Sequence, residues 1–284
     1  MNTKKSKLTR RDFLRKTALA AASYPLLTGS YGMLTNSDYQ LIEQKISITN
    51  LPEKFKGFTI GMLSDIHSSP FMLKEEMDAY VKAVNELKTD MIVVTGDFVN
   101  SQTEEVYPFA EAFSNLTAPY GVYGCLGNHD YFADVDIVAK EIDECGVKLL
   151  RNDAIQIHKE NSFINLIGVD DIGRKVNPND YLKNALSSIN NTQPKILLCH
   201  KPYYMDNFAE HNIDLTLSGH THGGQIVFGN IDNIAVTFAN VISKYVRGLY
   251  KKENSQMYVN RGIGTSLIAV RINCPPEITK ITLM

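Results

Sequence analysis

Five short runs of apolar residues stop abruptly, each at a small or turn-forming residue followed by a polar side chain. They are Phe58 to Ser64 before Asp65-Ile66-His67, Met91 to Thr95 before Gly96-Asp97, and Val122 to Leu126 before Gly127-Asn128-His129-Asp130. The other two are Lys195 to Cys199 before His200, and Ile213 to Leu217 before Ser218-Gly219-His220-Thr221-His222-Gly223-Gly224-Gln225. Each is short and rich in β-branched or bulky residues, which predicts a buried strand. Between them the spacing changes to that of helices. Met77, Tyr80, Val81, Val84 and Leu87 recur at helical intervals, and further amphipathic helices are predicted over Glu104 to Leu116, Val135 to Cys145, Tyr181 to Ile189 and Tyr203 to Glu210.

Alternation predicts a first edge strand within Tyr39 to Asn50. Lys148 to Asn152, Ala154 to His158 and Phe163 to Val169 have hairpin spacing, and Gln225 to Phe228, Met257 to Asn260 and Ile278 to Leu283 are strand-like again. Strands joined by crossover helices, with hairpins late in the chain, give two sheets covered by helices. No internal repeat is present, so residues 37–284 are expected to form one catalytic domain.

Composition adds little: 284 residues with 44% hydrophobic and 21% charged are those of an ordinary globular protein. A formal net charge of −2 gives no electrostatic footprint for nucleic acid. Nothing in the sequence sets an oligomeric state. Cys125 and Cys199 fall inside predicted buried strands, and the four cysteines show no Cys-x-x-Cys spacing, so they are expected to act as small hydrophobes. The N-terminus differs in kind. Lys4, Lys5 and Lys7 lead to Thr9-Arg10-Arg11-Asp12-Phe13-Leu14 and then to a mildly apolar stretch ending near Leu27. It resembles a twin-arginine export signal, which makes the translocation machinery a partner and places the mature protein outside the cytoplasm or at the membrane surface. Residues 1–36 are thus assigned to signal and linker.

The strand ends deliver Asp65, His67, Asp97, Asn128, His200, His220 and His222. Sheets of this kind place ligands at the carboxyl ends of their strands. Clustered carboxylates repel one another and are costly to bury, and cations offset both costs. The mixed nitrogen and oxygen set suits two divalent metal ions, Mn, Fe or Zn, sharing a carboxylate. Such a pair is fitted to in-line displacement at phosphorus. Arg261 is a candidate phosphate contact, because a guanidinium can grip phosphate oxygens in pairs. Asp170 and Asp171 are expected in a solvated turn, and His158 and His211 in structural or exposed positions.

The order Asp-x-His, Gly-Asp, Gly-Asn-His-Asp, His, Gly-His-x-His resembles the calcineurin-like metallophosphoesterases. With the leader, Gly219 to Gln225 and the tail Asn260 to Thr265, it is similar to an exported bacterial phosphodiesterase branch related to UDP-2,3-diacylglucosamine pyrophosphatases. The resemblance implies a four-layer αββα sandwich of two mixed sheets. It makes Asp65, His67 and His222 ligands of one metal and Asn128, His200 and His220 ligands of the other, with Asp97 bridging. It makes His129 the catalytic residue that meets the phosphate or leaving group, oriented by Asp130. It implies a phosphate-ester substrate, lipid-linked or a cell-wall polymer, cleaved at a phosphodiester or pyrophosphate bond. A lipid A biosynthetic hydrolase and a catalytically silent scaffold of the same fold are the competing functions.

Overall fold

The computed structural model describes residues 39–171, 173, 177–189, 192–231 and 234–284. The segment expected to be a twin-arginine signal and linker, residues 1–36, lies outside the described residues. In chain order the strands are β1 (Gln40–Ile46), β2 (Thr59–Leu63), β3 (Met91–Thr95), β4 (Val122–Cys125), β5 (Lys148–Leu149), β6 (Asp153–Lys159) and β7 (Ser162–Gly168). They continue as β8 (Lys195–Leu198), β9 (Leu215–Ser218), β10 (Val227–Ile231), β11 (Ile234–Thr237), β12 (Gly248–Lys252), β13 (Ser255–Val259) and β14 (Glu277–Leu283). The helices are α1 (Lys74–Glu86), α2 (Val106–Phe113), α3 (Val135–Glu144), α4 (Pro178–Leu186) and α5 (Met205–Glu210).

Two six-stranded sheets face each other, ordered β1-β14-β2-β3-β4-β5 and β12-β13-β9-β8-β7-β6. Within the first, β2 to β5 run parallel and β14 is antiparallel to β2; within the second, β7, β8, β9 and β13 run parallel between antiparallel edges. A period of two is kept even inside the continuous apolar runs. Met91 and Val93 of β3 point into the space between the sheets, against Ile196 and Leu198 of β8. Their neighbours Ile92 and Val94 point outward against α1, α2 and α3, and Leu197 points outward against α4 and α5. The result is the four-layer αββα sandwich.

Local chemistry sets the helices. Met77, Tyr80, Val81 and Val84 form the buried stripe of α1, whose Glu76 side chain accepts from the Leu73 N–H at 3.1 Å. Asp134 caps α3 through the N–H groups of Asp136 and Ile137. Among the described residues no helix is long and apolar enough to cross a membrane.

Two sequence expectations need correction. The run beginning at Lys148 does not join the hairpin of β6 and β7; as β5 it extends the first sheet, and the Leu150 N–H donates to Gly124 at 2.9 Å. Asp170 and Asp171 are not in a solvated turn. Asp170 is paired with Arg151 and Asp171 with Lys201 at 2.8 Å. His158 lies on exposed β6 against Phe163, and His211 faces Asn179, both as expected for structural residues.

Candidate metal centre

The carboxyl ends of β2, β3, β4, β8 and β9 meet at one edge of the sandwich, and every strand-end residue singled out in the sequence arrives there. The turns that deliver them are strained. Asp65, His67, Asp97, His220 and His222 all have positive φ, between 49° and 73°. Side chains rarely adopt this left-handed region, at a cost of order 1 kcal/mol or more each. Close packing enforces it. A Cβ on Gly219 would lie 2.2 Å from an Asp65 carboxylate oxygen, and one on Gly127 would lie 2.3 Å from Oδ1 of Asp97.

Asp97 is the centre of the arrangement. Its Oδ1 accepts the His129 backbone N–H at 2.8 Å. Its Oδ2 faces two imidazoles, 3.0 Å from Nε2 of His200 and 3.5 Å from Nε2 of His67. On the His67 side, Nε2 of His222 lies 3.1 Å from Nε2 of His67 and 3.5 Å from Oδ1 of Asp65. On the His200 side, Nδ1 of His220 lies 3.2 Å from Nε2 of His200. The ligand atoms of Asp65, His67 and His222 fall within 4.8 Å of one another, as do those of Asp97, His200 and His220 and those of His67, Asp97 and His129.

The donor set fits two cations. Ring nitrogens this close share either a proton or a cation, and a metal ligated by both would satisfy the two lone pairs together. Oδ1 of Asn128 is buried without a hydrogen-bond partner, which is costly for an amide oxygen unless it ligates. The other ring nitrogens are anchored: Nδ1 of His200 on the Thr95 carbonyl at 2.8 Å, and Nδ1 of His67 near Oδ1 of Asn100 at 3.3 Å. Such outer partners fix the ring and tautomer that a metal requires.

Titration behaviour follows from burial and neighbouring charge. Burial pushes Asp65 up to about 6 and His67 down to about 4. Burial also opposes ionising Asp97, yet His200 beside it, helped by His67 and His129, holds its carboxyl well below the usual range. In return, and against burial, Asp97 pushes His200 up to about 10. Asp97 and His200 therefore form a buried ion pair, and a cation held by His200 would have to take the place of its Nε2 proton.

His129 leans edge-on against His67, with ring centroids 4.5 Å apart. Its Nδ1 is held by the Asn100 carbonyl. The sequence expects Asp130 to orient this ring, but none of the hydrogen bonds described for Asp130 goes to it. Instead Asp130 lies fully buried and accepts from four backbone N–H groups, those of Asp97, Phe98, Val99 and Gly127. It ties the Gly96-Asp97 turn to the Gly127-Asn128 turn. Asp130→Ala strands four buried donors and is expected to destabilise the protein by about 3 kcal/mol or more. Urea unfolding of the metal-free protein measures it, and a loss below about 1 kcal/mol would show that these bonds matter little.

Arg261, expected as a phosphate contact, is engaged elsewhere. It is 8% exposed, and its guanidinium pairs with Glu277 and reaches Gln40, so its charge is used inside the protein rather than at the cleft. Arg271, unnoticed in the sequence, has more to do with the site. It is 1% exposed and donates to the carbonyls of His222, Cys274, Arg261, Gly262 and Gly264. The last two belong to a loop packed on Asp65: the Gly264 N–H donates to the Asp65 carbonyl at 2.8 Å.

Residues 58–224, more than half of the chain and all of the clustered turns, match the calcineurin-like phosphoesterase family. The chain belongs to that family. Calcineurin-like phosphoesterases are hydrolases of phosphoric esters, and the clustered donors of this chain fit a metal-dependent member. It is 32% identical over 290 residues to a Bacillus subtilis metallophosphoesterase, YkuE, spanning 98% of each chain. It is 28% identical over 285 residues to the Escherichia coli phosphodiesterase YaeI, covering 98% of this chain and 100% of that one. The chain spans 60% of the length of a Helicobacter pylori metallophosphoesterase and 63% of a zebrafish transmembrane protein with a metallophosphoesterase domain, at 32% and 30% identity. The fold is shared with a solved structure from Thermus thermophilus, at a TM-score of 0.51 and 14% identity, over 72% of this chain and 89% of that one.

Proposed function

We propose that the chain is a two-metal phosphodiesterase. Asp65, His67 and His222 would hold one divalent cation and Asn128, His200 and His220 the other, with Asp97 shared. The observation that carries this reading is the position of Oδ2 of Asp97, between the Nε2 atoms of His67 and His200, with a further imidazole beyond each. When bound, such a pair polarises a phosphoryl oxygen and lowers the pKa of water at neutral pH. The chain's own contribution is placement. Asp97 offers one oxygen to both sides because its other oxygen is taken by a backbone N–H. His129, fixed through Nδ1, keeps Nε2 for the phosphate or the departing oxygen. The similarity to the Escherichia coli phosphodiesterase supports a diester over a monoester.

A hydrolysis panel tests this. A phosphomonoester, a phosphodiester, UDP-2,3-diacylglucosamine and a cell-wall polymer are each supplied with Mn, Zn, Fe or Mg. The diester is expected to be cleaved fastest and only with metal. A preference for the nucleotide sugar would favour the pyrophosphatase reading, and inactivity on every substrate the scaffold.

The site is further proposed to work outside the cytoplasm, on the strength of Arg10, Arg11 and the apolar stretch that follows. Replacing both arginines by lysine keeps the charge and is expected to leave the protein in the cytoplasmic fraction. Undiminished export of that double variant would refute the twin-arginine route.

A further inference from the structure

Beside the metal cluster lies a cavity of about 430 Å³ whose floor includes His220, His222 and Gly224. One wall is the turn Phe238–Val241 with Ile242, the other the segment Ser266 to Ile268, and Tyr203 closes the end toward His220. The lining is mostly apolar, and much of it is open to solvent: Phe238 and Ile242 are each 68% exposed and Leu267 is 99% exposed. Exposed apolar surface of this extent next to a reactive centre marks a binding region.

These walls are braced against the metal-bearing turn. The Thr237 hydroxyl donates to the Gly224 carbonyl at 2.9 Å and so anchors the first wall. The Gln225 amide anchors the second, donating to the Ile268 carbonyl at 2.7 Å and accepting the Ser266 N–H at 3.0 Å. This gives Gln225, the last residue of the histidine-glycine motif, a purpose that metal ligation does not. Leu267 is itself held at φ 66°, a conformation costly for a leucine, with its side chain in water. Backbone strain that presents an apolar side chain beside a metal site serves a ligand rather than the fold.

On the other side of His220 and Tyr203 is a second cavity, of about 400 Å³, lined by Asn128, Tyr131, Phe132, Tyr204 and the ion-paired Asp171 and Lys201, so that charged and hydroxyl groups are added to the aromatic ones. A phosphorus atom seated at the metals would thus meet unlike surfaces in two directions.

Taking the phosphodiesterase reading as given, we propose that the substrate is an amphiphilic phosphodiester. Its aliphatic chain lies between the 238–242 and 266–268 walls, and its hydroxylated or charged arm lies against Lys201 and the tyrosines.

The test uses 4-nitrophenyl phosphodiesters whose second arm is methyl, butyl or octyl, kept below their aggregation limits, with the Mn-loaded protein. Each methylene fully buried is worth about fourfold in kcat/KM, so a partly covered chain should give a gain of at least roughly 30-fold from methyl to octyl. A flat series overturns the proposal. Binding of methylphosphonate and octylphosphonate by calorimetry gives a readout independent of turnover. The octyl compound is expected to bind more tightly with a negative heat-capacity change, and equal binding overturns the proposal. If no ester is hydrolysed in any metal, the phosphodiesterase reading fails, and the phosphonate pair still decides the cavity. Ile242→Asp and Leu267→Asp, both at solvent-exposed positions, should each remove most of the octyl advantage. Its full survival in both variants would place the chain elsewhere and overturn the assignment.

Discussion

Asp97→Asn is expected to leave the protein folded but unable to hold two metals, and to lower diester turnover by a factor of order 10³. The substitution is nearly isosteric. An amide oxygen can still accept the His129 N–H that Oδ1 accepts now. The atom that faces His67 and His200, however, changes from a shared anionic oxygen to an NH₂ donor. It can neutralise neither cation and would itself repel them. His200 also loses the partner that pushes it up to about 10, so it becomes neutral in a buried setting. Metal content by elemental analysis, read together with kcat, checks the expectation. Two tightly held equivalents in the variant would end the case for a shared carboxylate.

His129→Ala should behave in the opposite way. His129 lies beside the cluster, but its fixed nitrogen is spent on the Asn100 carbonyl rather than on a ligand position. Both metals should therefore remain, while turnover of esters with poor leaving groups falls by about 10²–10⁴. Because the anchor is a neutral carbonyl and not Asp130, it fixes the tautomer without adding a compensating charge. A ring that donates a proton to the departing oxygen matters little when that oxygen is a good leaving group. A nitrophenyl diester should then suffer much less than an alkyl one. Equal losses on both would mean that the ring stabilises phosphoryl charge instead. A missing metal would make His129 a ligand.

The site was legible because the chemistry sits where the apolar pattern stops. Met91 to Thr95 is observed as a strand with the expected bounds, and Gly96-Asp97 follows it directly. Such an edge can be read without knowing which sheet a strand joins. Partners drawn from distant sequence could not be read this way. Arg261 looks like any surface arginine until the β14 register brings Glu277 beside it. Asp130 stands next to a catalytic candidate in the motif, yet it serves four backbone donors that carry no side-chain signal. The hydrogen bonds described for Arg271 go to carbonyls, and a carbonyl is the same at every residue. Missing β12 has a different cause: Gly248 to Lys252 ends in two lysines and lies at a sheet edge, where apolar alternation is not demanded. Placing Lys148-Leu149 failed because a strand of two residues has no periodicity to read.

The position of β14 has a consequence for how the protein comes into being. Residues 277–283 lie between β1 and β2, two strands from near the start of the described chain. The loop that presses on Asp65 is joined to the same region, through the Glu277 N–H donating to the Gly262 carbonyl at 3.1 Å. During synthesis, β2, β3 and β4 can pair as soon as they emerge, but β1 has no neighbour until the last strand is made. The first sheet is closed by a contact spanning more than 200 residues, the kind that forms slowly. A ribosome-bound chain can therefore carry every one of the seven clustered side chains while the support behind Asp65 is still missing. Full metal affinity is therefore expected only once β14 is inserted, and a chain truncated before residue 277 should bind metal weakly.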